Sequence, residues 1–287
     1  MVRETVRLLP RRAPGQLQPG RPPVAGTIVF GALLFTLILL PAFSLTISAF
    51  AGRWPFPQPL PQELSIDAWR YIWTSARSVI KALAVSTAYS TAVALLSAAV
   101  CWPAARFLAQ RQFAGQAVLE AVLLSPALIP SITFSMGIQV IFIRIGLVDT
   151  TAGVILVLSL TAYPYVLRAL KTGFLAVSSR YDDCAQNLGA GRLQRLVELE
   201  LPMVLPSALA GMSVAFLVAF SEYFLVYLIG GGVVAGFTGL MVPFLLSSDR
   251  QTASALTLVF VLVPLLLFFV QERFLQRFYV RKGVESA

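Results

Sequence analysis

An all-α membrane protein is the predicted fold class: six transmembrane helices, with a cytoplasmic helix–turn–helix between spans 4 and 5. Three observations predict it. The 287-residue chain is 57% hydrophobic and only 12% charged, against about 25% charged residues in a soluble domain. Its mean hydropathy is +0.80, so its apolar surface cannot all be buried in one aqueous core. Six stretches reach the length of about 20 apolar residues that crosses hydrocarbon. Finally, 16 of the 22 Lys and Arg residues fall on the side of the six spans that carries both termini.

Residues 1–23, "MVRETVRLLPRRAPGQLQPGRPP", are basic and Pro-rich. They read as a cytoplasmic tail and not as a cleaved leader, because the next apolar stretch is long enough to span and lacks a small-residue cleavage site. The spans fall near 24–50, 79–104, 117–143, 151–170, 204–230 and 252–271, inside a domain of 24–280, and 281–287 form a short second tail. Basic residues gather in the tail, the loop between spans 2 and 3, the connection between spans 4 and 5 and the C-terminus. The positive-inside rule therefore places both termini in the cytoplasm. The net charge of +9 reads as topology marking, and no nucleic-acid partner is expected.

The external stretch "RWPFPQPLPQELSIDAWRYIW" (53–73) mixes prolines with aromatics. Its end reads as a short amphipathic helix, either an aromatic anchor at the interface or a docking surface. The third span contains "SPALIP", two prolines four apart, which predicts a kink. Cys101 and Cys184 are the two cysteines and histidine is absent. Free thiols are expected, with no metal site, no catalytic triad and no catalytic residues.

The polar stretch "DDCAQNLGAGRLQRLVELELP" (182–202) carries six charges between apolar runs. Cys184, Ala185 and Leu188 share one small apolar face, and Leu193, Leu196 and Val197 form another beyond the Gly189 break. Asp182 and Asp183 fall where carboxylates suit a helix N-terminus. Glycine permits the turn, and Pro202 marks entry to the fifth span. Periodicity alone leaves two readings, a helix lying on lipid or a lever docked into a protein.

The segment resembles the EAA loop of permease subunits of type I, binding-protein-dependent ATP-binding-cassette importers, a pattern of E-A-A-x-x-x-G, nine residues, then I-x-L-P. Asp183, Cys184 and Ala185 stand at E-A-A, Gly189 at the glycine, and Leu199, Leu201 and Pro202 at I-x-L-P, without a gap. The resemblance covers about residues 24–280. It implies that about 178–202 form the coupling segment, with Asp182, Asp183, Cys184, Ala185, Leu188, Gly189, Leu199, Leu201 and Pro202 as coupling residues. It also implies a separate ATPase dimer that holds ATP and Mg, a second permease subunit, an extracytoplasmic binding protein, and residence in a bacterial inner membrane. The chain carries no phosphate-binding loop of its own. "GGGVVAGFTG" (230–239) lacks lysine and reads as an external loop, so neither enzyme activity nor a cofactor is expected in this chain.

Glu120, near the cytoplasmic end of the third span, is expected to snorkel or to pair with Arg106 or Arg111. Glu222, inside the fifth span, is either a hydrogen bond between helices or, with Ser221, Tyr223 and Tyr227, a lining of the substrate path. One carboxylate beside hydroxyls suits a cationic or polyhydroxylated substrate. "SEYF" and "ALTLVFVLVPLLLFFVQERF" resemble the polyamine, iron and thiamine branch, with sugar and phosphonate still open. A stand-alone secondary transporter or channel is the competing class.

Overall fold

The computed structural model describes residues 24–55, 57–177 and 179–281; the expected tails at 1–23 and 282–287 lie outside the described residues. The chain divides into two compact units, 1–44 and 45–287. The described part of the first unit is most of α1 (Val24–Ala49), which is apolar on every face. Such a helix suits hydrocarbon and not an aqueous surface.

The second unit continues with α2 (Asp67–Thr74), α3 (Ala76–Gln110), α4 (Gln116–Leu124), α5 (Ser131–Arg144) and α6 (Thr151–Ala176). Then come α7 (Ser179–Asn187), the short turn α8 (Arg192–Gln194), α9 (Leu201–Ser221), α10 (Phe224–Gly230), α11 (Phe237–Leu246) and α12 (Arg250–Arg281). Among the described residues there are no strands, only an isolated bridge between Ala51 and Leu64. Five helices are long and apolar enough to cross a membrane, and a bent pair makes a sixth span if counted as one.

That pair corrects the expected third span. Gln116–Ala127 and Ser131–Arg144 meet at 91°, a break and not a kink. Pro126 and Pro130 both lack an N–H, and Pro130 takes φ −55°, ψ 133° ahead of α5, which ends the first helix. A carbonyl at the break, that of Leu123, accepts the Tyr163 hydroxyl of α6 at 2.7 Å. Broken helices survive at membrane depth when neighbours re-satisfy backbone groups in this way.

The expected fifth span, 204–230, is corrected at both ends. Its helix runs from Arg192 to Ser221, so the second arm of the polar segment is continuous with it. The turns Arg195–Glu200 widen to π geometry just before Pro202, where an i−4 hydrogen bond is impossible. At the other end α9 stops at Ser221, and Glu222 is extended (φ −74°, ψ 122°). The glycine-rich stretch after it is not a simple surface loop. The Phe237 N–H donates to Ser86 Oγ at 2.8 Å, and Phe237, the first residue of α11, is fully buried.

The core lies where α3, α6 and α9 pack together, around Tyr89, Val93, Leu158, Leu170, Phe216 and Phe220. Small residues allow the approach. A Cβ on Gly211 would fall 2.8 Å from the Ala169 Cβ, and buried Ser86, Ser90, Ser97 and Cys101 line the inner face of α3. Without a hydrophobic force between helices in lipid, close packing of this kind holds them together.

Candidate functional site

The polar segment folds as two helical arms around one turn. Ala190 N–H donates to the Ala185 carbonyl and Gly189 N–H to the Gln186 carbonyl, both at 3.0 Å. These are the two bonds of a Schellman helix end, which requires a left-handed residue at its next-to-last position. Gly189 supplies it with φ +81°, and a Cβ there would meet nothing within 4 Å. The spacing from Ala185 to Gly189 is therefore the spacing of a helix stop. Asp182 and Asp183 are the fourth and fifth residues of α7 rather than caps, and their side chains lie outside the described ones.

Cys184 is exposed, Ala185 is half-buried, and Leu188, Leu193 and Val197 are 88%, 74% and 50% exposed. Three large aliphatic side chains thus stand open on a polar hairpin. Leu199 is half-buried and Leu201 39% exposed, at the entry to α9, with Pro202 in its first turn.

The residue between Leu199 and Leu201 escaped the sequence reading. Glu200 is buried, and its carboxylate lies 2.5 Å from the Arg106 guanidinium at the end of α3. Glu120 was expected to snorkel or to pair with Arg106 or Arg111, but it pairs with Lys171 of α6 at 2.5 Å and accepts from Gln116 Nε2 at 3.0 Å. Gln116 also donates to the Leu108 carbonyl. Two ion pairs thus tie this end of α3, α4, α6 and α9 together. A glutamate entering an apolar helix was the available signal, since a charge at that depth needs a partner.

At the opposite end the set Ser221, Glu222, Tyr223 and Tyr227 divides. The Ser221 hydroxyl donates back to the Leu217 carbonyl at 2.8 Å. Glu222 Oε1 accepts the Leu225 N–H at 3.2 Å, capping α10, while its carbonyl accepts from Thr238 Oγ1. One carboxylate oxygen of Glu222 thus serves as a local cap of α10. Tyr223 and Tyr227 stack with centroids 5.8 Å apart and border a cavity of about 440 Å³, whose wall also includes Ser78, Lys81, Gly232 and Gly236. The sequence reading had used Lys81 only as a topology marker. Among the described residues no group of three or more His, Cys, Asp or Glu could hold a metal.

A bundle of long apolar helices with a polar hairpin continuous with one of them has the architecture of a multi-pass membrane protein. The chain belongs to the family of binding-protein-dependent transport system inner membrane components, whose pattern it matches over residues 101–280. It is therefore a multi-pass inner membrane component of a binding-protein-dependent transport system. Membership removes the stand-alone transporter alternative.

The chain is 31% identical over 144 residues to the molybdate/tungstate transport system permease WtpB of Pyrococcus abyssi, covering 50% of this chain and 58% of the relative. The match thus spans little more than half of that relative's length. It is 25% identical over 239 residues to the sulfate transport system permease CysT of Salmonella typhimurium, covering 76% and 86%. The fold is similar to that of a bacterial ABC transporter involved in import of the acidic polysaccharide alginate, with TM-score 0.66, 14% identity, and coverage of 87% and 95%. Polyamine transport, expected from "SEYF", finds no support among these relatives, and the carboxylate that suggested it is occupied as a cap.

Proposed function

We propose that the protein is the membrane-spanning subunit of an ATP-driven importer of a small tetrahedral oxyanion of the molybdate, tungstate or sulfate kind. The observation that carries the coupling part is the hairpin of α7 and α8, which exposes Leu188, Leu193 and Val197 and runs on without interruption into the helix Arg192–Ser221. Exposed aliphatic side chains on a polar protrusion fit a groove in a protein partner. That partner is a separate ATPase dimer, which holds ATP and Mg. The charge distribution supports a cytoplasmic position for the hairpin and both termini.

The substrate class draws on the names of the molybdate/tungstate and sulfate relatives. A second permease, identical or homologous, completes the path, and an extracytoplasmic binding protein delivers the anion.

Motion follows from rigidity. A 30-residue helix is a rod of about 45 Å at about 1.5 Å per residue. Closure of the ATPase against the hairpin tilts this rod, and the Arg106–Glu200 pair carries α3 with it. The far end of the rod is Ser221, where α9 breaks beside the tyrosine-lined cavity.

The test is ATP-dependent uptake of radiolabelled molybdate and sulfate by proteoliposomes containing the permease–ATPase complex and its binding protein. Uptake that is independent of ATP, or a permease that does not co-purify with the ATPase, refutes the coupling reading. Failure to import either anion refutes the substrate reading alone.

A further inference from the structure

We propose that the cavity between α3, α10 and the loop after it is a binding station for the oxyanion on its way through the permease, and that Lys81 supplies its positive charge. The proposal rests on the oxyanion reading and deepens it.

The sign of the cavity is the first argument. Lys81 is the charged residue in its wall, and the two carboxylates close by in the fold, Glu222 and Asp149, do not line it. Glu222 is turned to the Leu225 N–H, and Asp149 Oδ1 lies against Gly231. Among the described residues Lys81 has no ion-pair partner, so its charge is available to a ligand.

The donors are the second argument. A tetrahedral oxyanion offers acceptor oxygens in four directions and no donor when fully ionised. The ammonium of Lys81 and the hydroxyls of Ser78, Tyr223 and Tyr227 are donors of the required kind. The stacked rings of the two tyrosines hold each other in place. A cavity of about 440 Å³ has room for an oxyanion with part of its water shell, which suits a station that must also release its cargo.

The location is the third. Tyr223 follows directly on the extended Glu222 that ends α9. Tilting of the rod from Arg192 to Ser221 therefore moves Tyr223 and Tyr227 relative to Lys81 on α3, and the station opens or closes with the coupling hairpin.

A lysine with tyrosines near the outer end of a span also suits the phosphate of a lipid headgroup, and the experiment separates the two sources. The complete permease–ATPase complex is dialysed against radiolabelled sodium molybdate and sodium sulfate without binding protein. Uptake is then measured with binding protein in vesicles of phosphatidylcholine alone and of phosphatidylcholine with phosphatidylglycerol. Lys81→Gln is expected to weaken anion binding about tenfold and to slow uptake in both lipids, with co-purification and basal ATP hydrolysis unchanged, while Lys81→Arg keeps binding within about threefold of wild type. Tyr227→Phe, which removes one hydroxyl from a side chain 62% exposed, provides the second variant if Lys81→Gln does not assemble. Its expected loss is about threefold to fivefold.

Unchanged binding and uptake in Lys81→Gln, with wild-type import intact, overturns the station and leaves the oxyanion reading standing. A Lys81→Gln defect confined to the vesicles with phosphatidylglycerol assigns the lysine to lipid and also overturns the station. A wild-type complex that neither binds nor imports either anion overturns both.

Discussion

Gly189→Val should uncouple the permease from its ATPase without unfolding it. Gly189 has φ +81° and closes the Schellman end that stops α7. A residue with a Cβ in left-handed backbone costs about 1–2 kcal/mol, and a β-branched one lies at the upper end. Sterics within the chain add nothing, since a Cβ here meets no atom within 4 Å. The hairpin is too exposed to contribute much to the core, so thermal stability in detergent should barely move. The whole cost falls on the population of the docking-competent turn, and about 1–2 kcal/mol is roughly a 5- to 30-fold loss in affinity. The assay is titration of the purified permease with its ATPase, together with substrate-stimulated ATP hydrolysis. Gly189→Ala should lose less than Gly189→Val, and Gly189→Asn least, because asparagine tolerates this backbone. Gly189→Asp adds a charge to the docking surface and should also uncouple. If Gly189→Val bound the ATPase as tightly as wild type, the turn would not be what the ATPase reads.

The remaining predictions address the break in the third span, the capping glutamate and the topology. Tyr163→Phe removes the donor to the Leu123 carbonyl and should destabilise by about 1–3 kcal/mol, read as a lower melting temperature in detergent; an unchanged melting temperature would show that the break is satisfied otherwise. Glu222→Gln keeps an oxygen that accepts from Leu225 N–H, so uptake should stay within about twofold of wild type, and a large loss would restore the carboxylate to the transport path. A cysteine placed at Arg192 should resist an impermeant thiol reagent added to intact cells, and rapid labelling would invert the topology.

How much was legible in the sequence depended on the range of the interaction. Apolar runs report transfer from water to hydrocarbon, residue by residue, and they located the long helices, although α3, α6 and α12 run six to ten residues beyond the expected C-terminal ends. The Ala185–Gly189 spacing encodes a helix stop through two backbone bonds within six residues, so the hairpin could also be read locally. "SPALIP" announced a disturbance, but not its size, 91°, nor that a tyrosine forty residues away would satisfy the Leu123 carbonyl beside it. The local cap that Glu222 forms was not legible, because hydropathy records that a carboxylate lies in an apolar run and not which way the backbone turns there; the extended Glu222 brings its Oε1 to the Leu225 N–H. The partners of Arg106 and Glu120 were likewise not legible, since pairing depends on how helices rotate and cross. The sequence by itself determined an all-helical membrane protein with a polar helix–turn–helix, because those features rest on local hydrogen bonding and solvent transfer; the transport class came from the resemblance carried by residues 183–202. Only the tertiary structure decided which charges meet and that the tyrosine cavity holds a lysine and not a glutamate, because both depend on contacts between helices far apart in the chain.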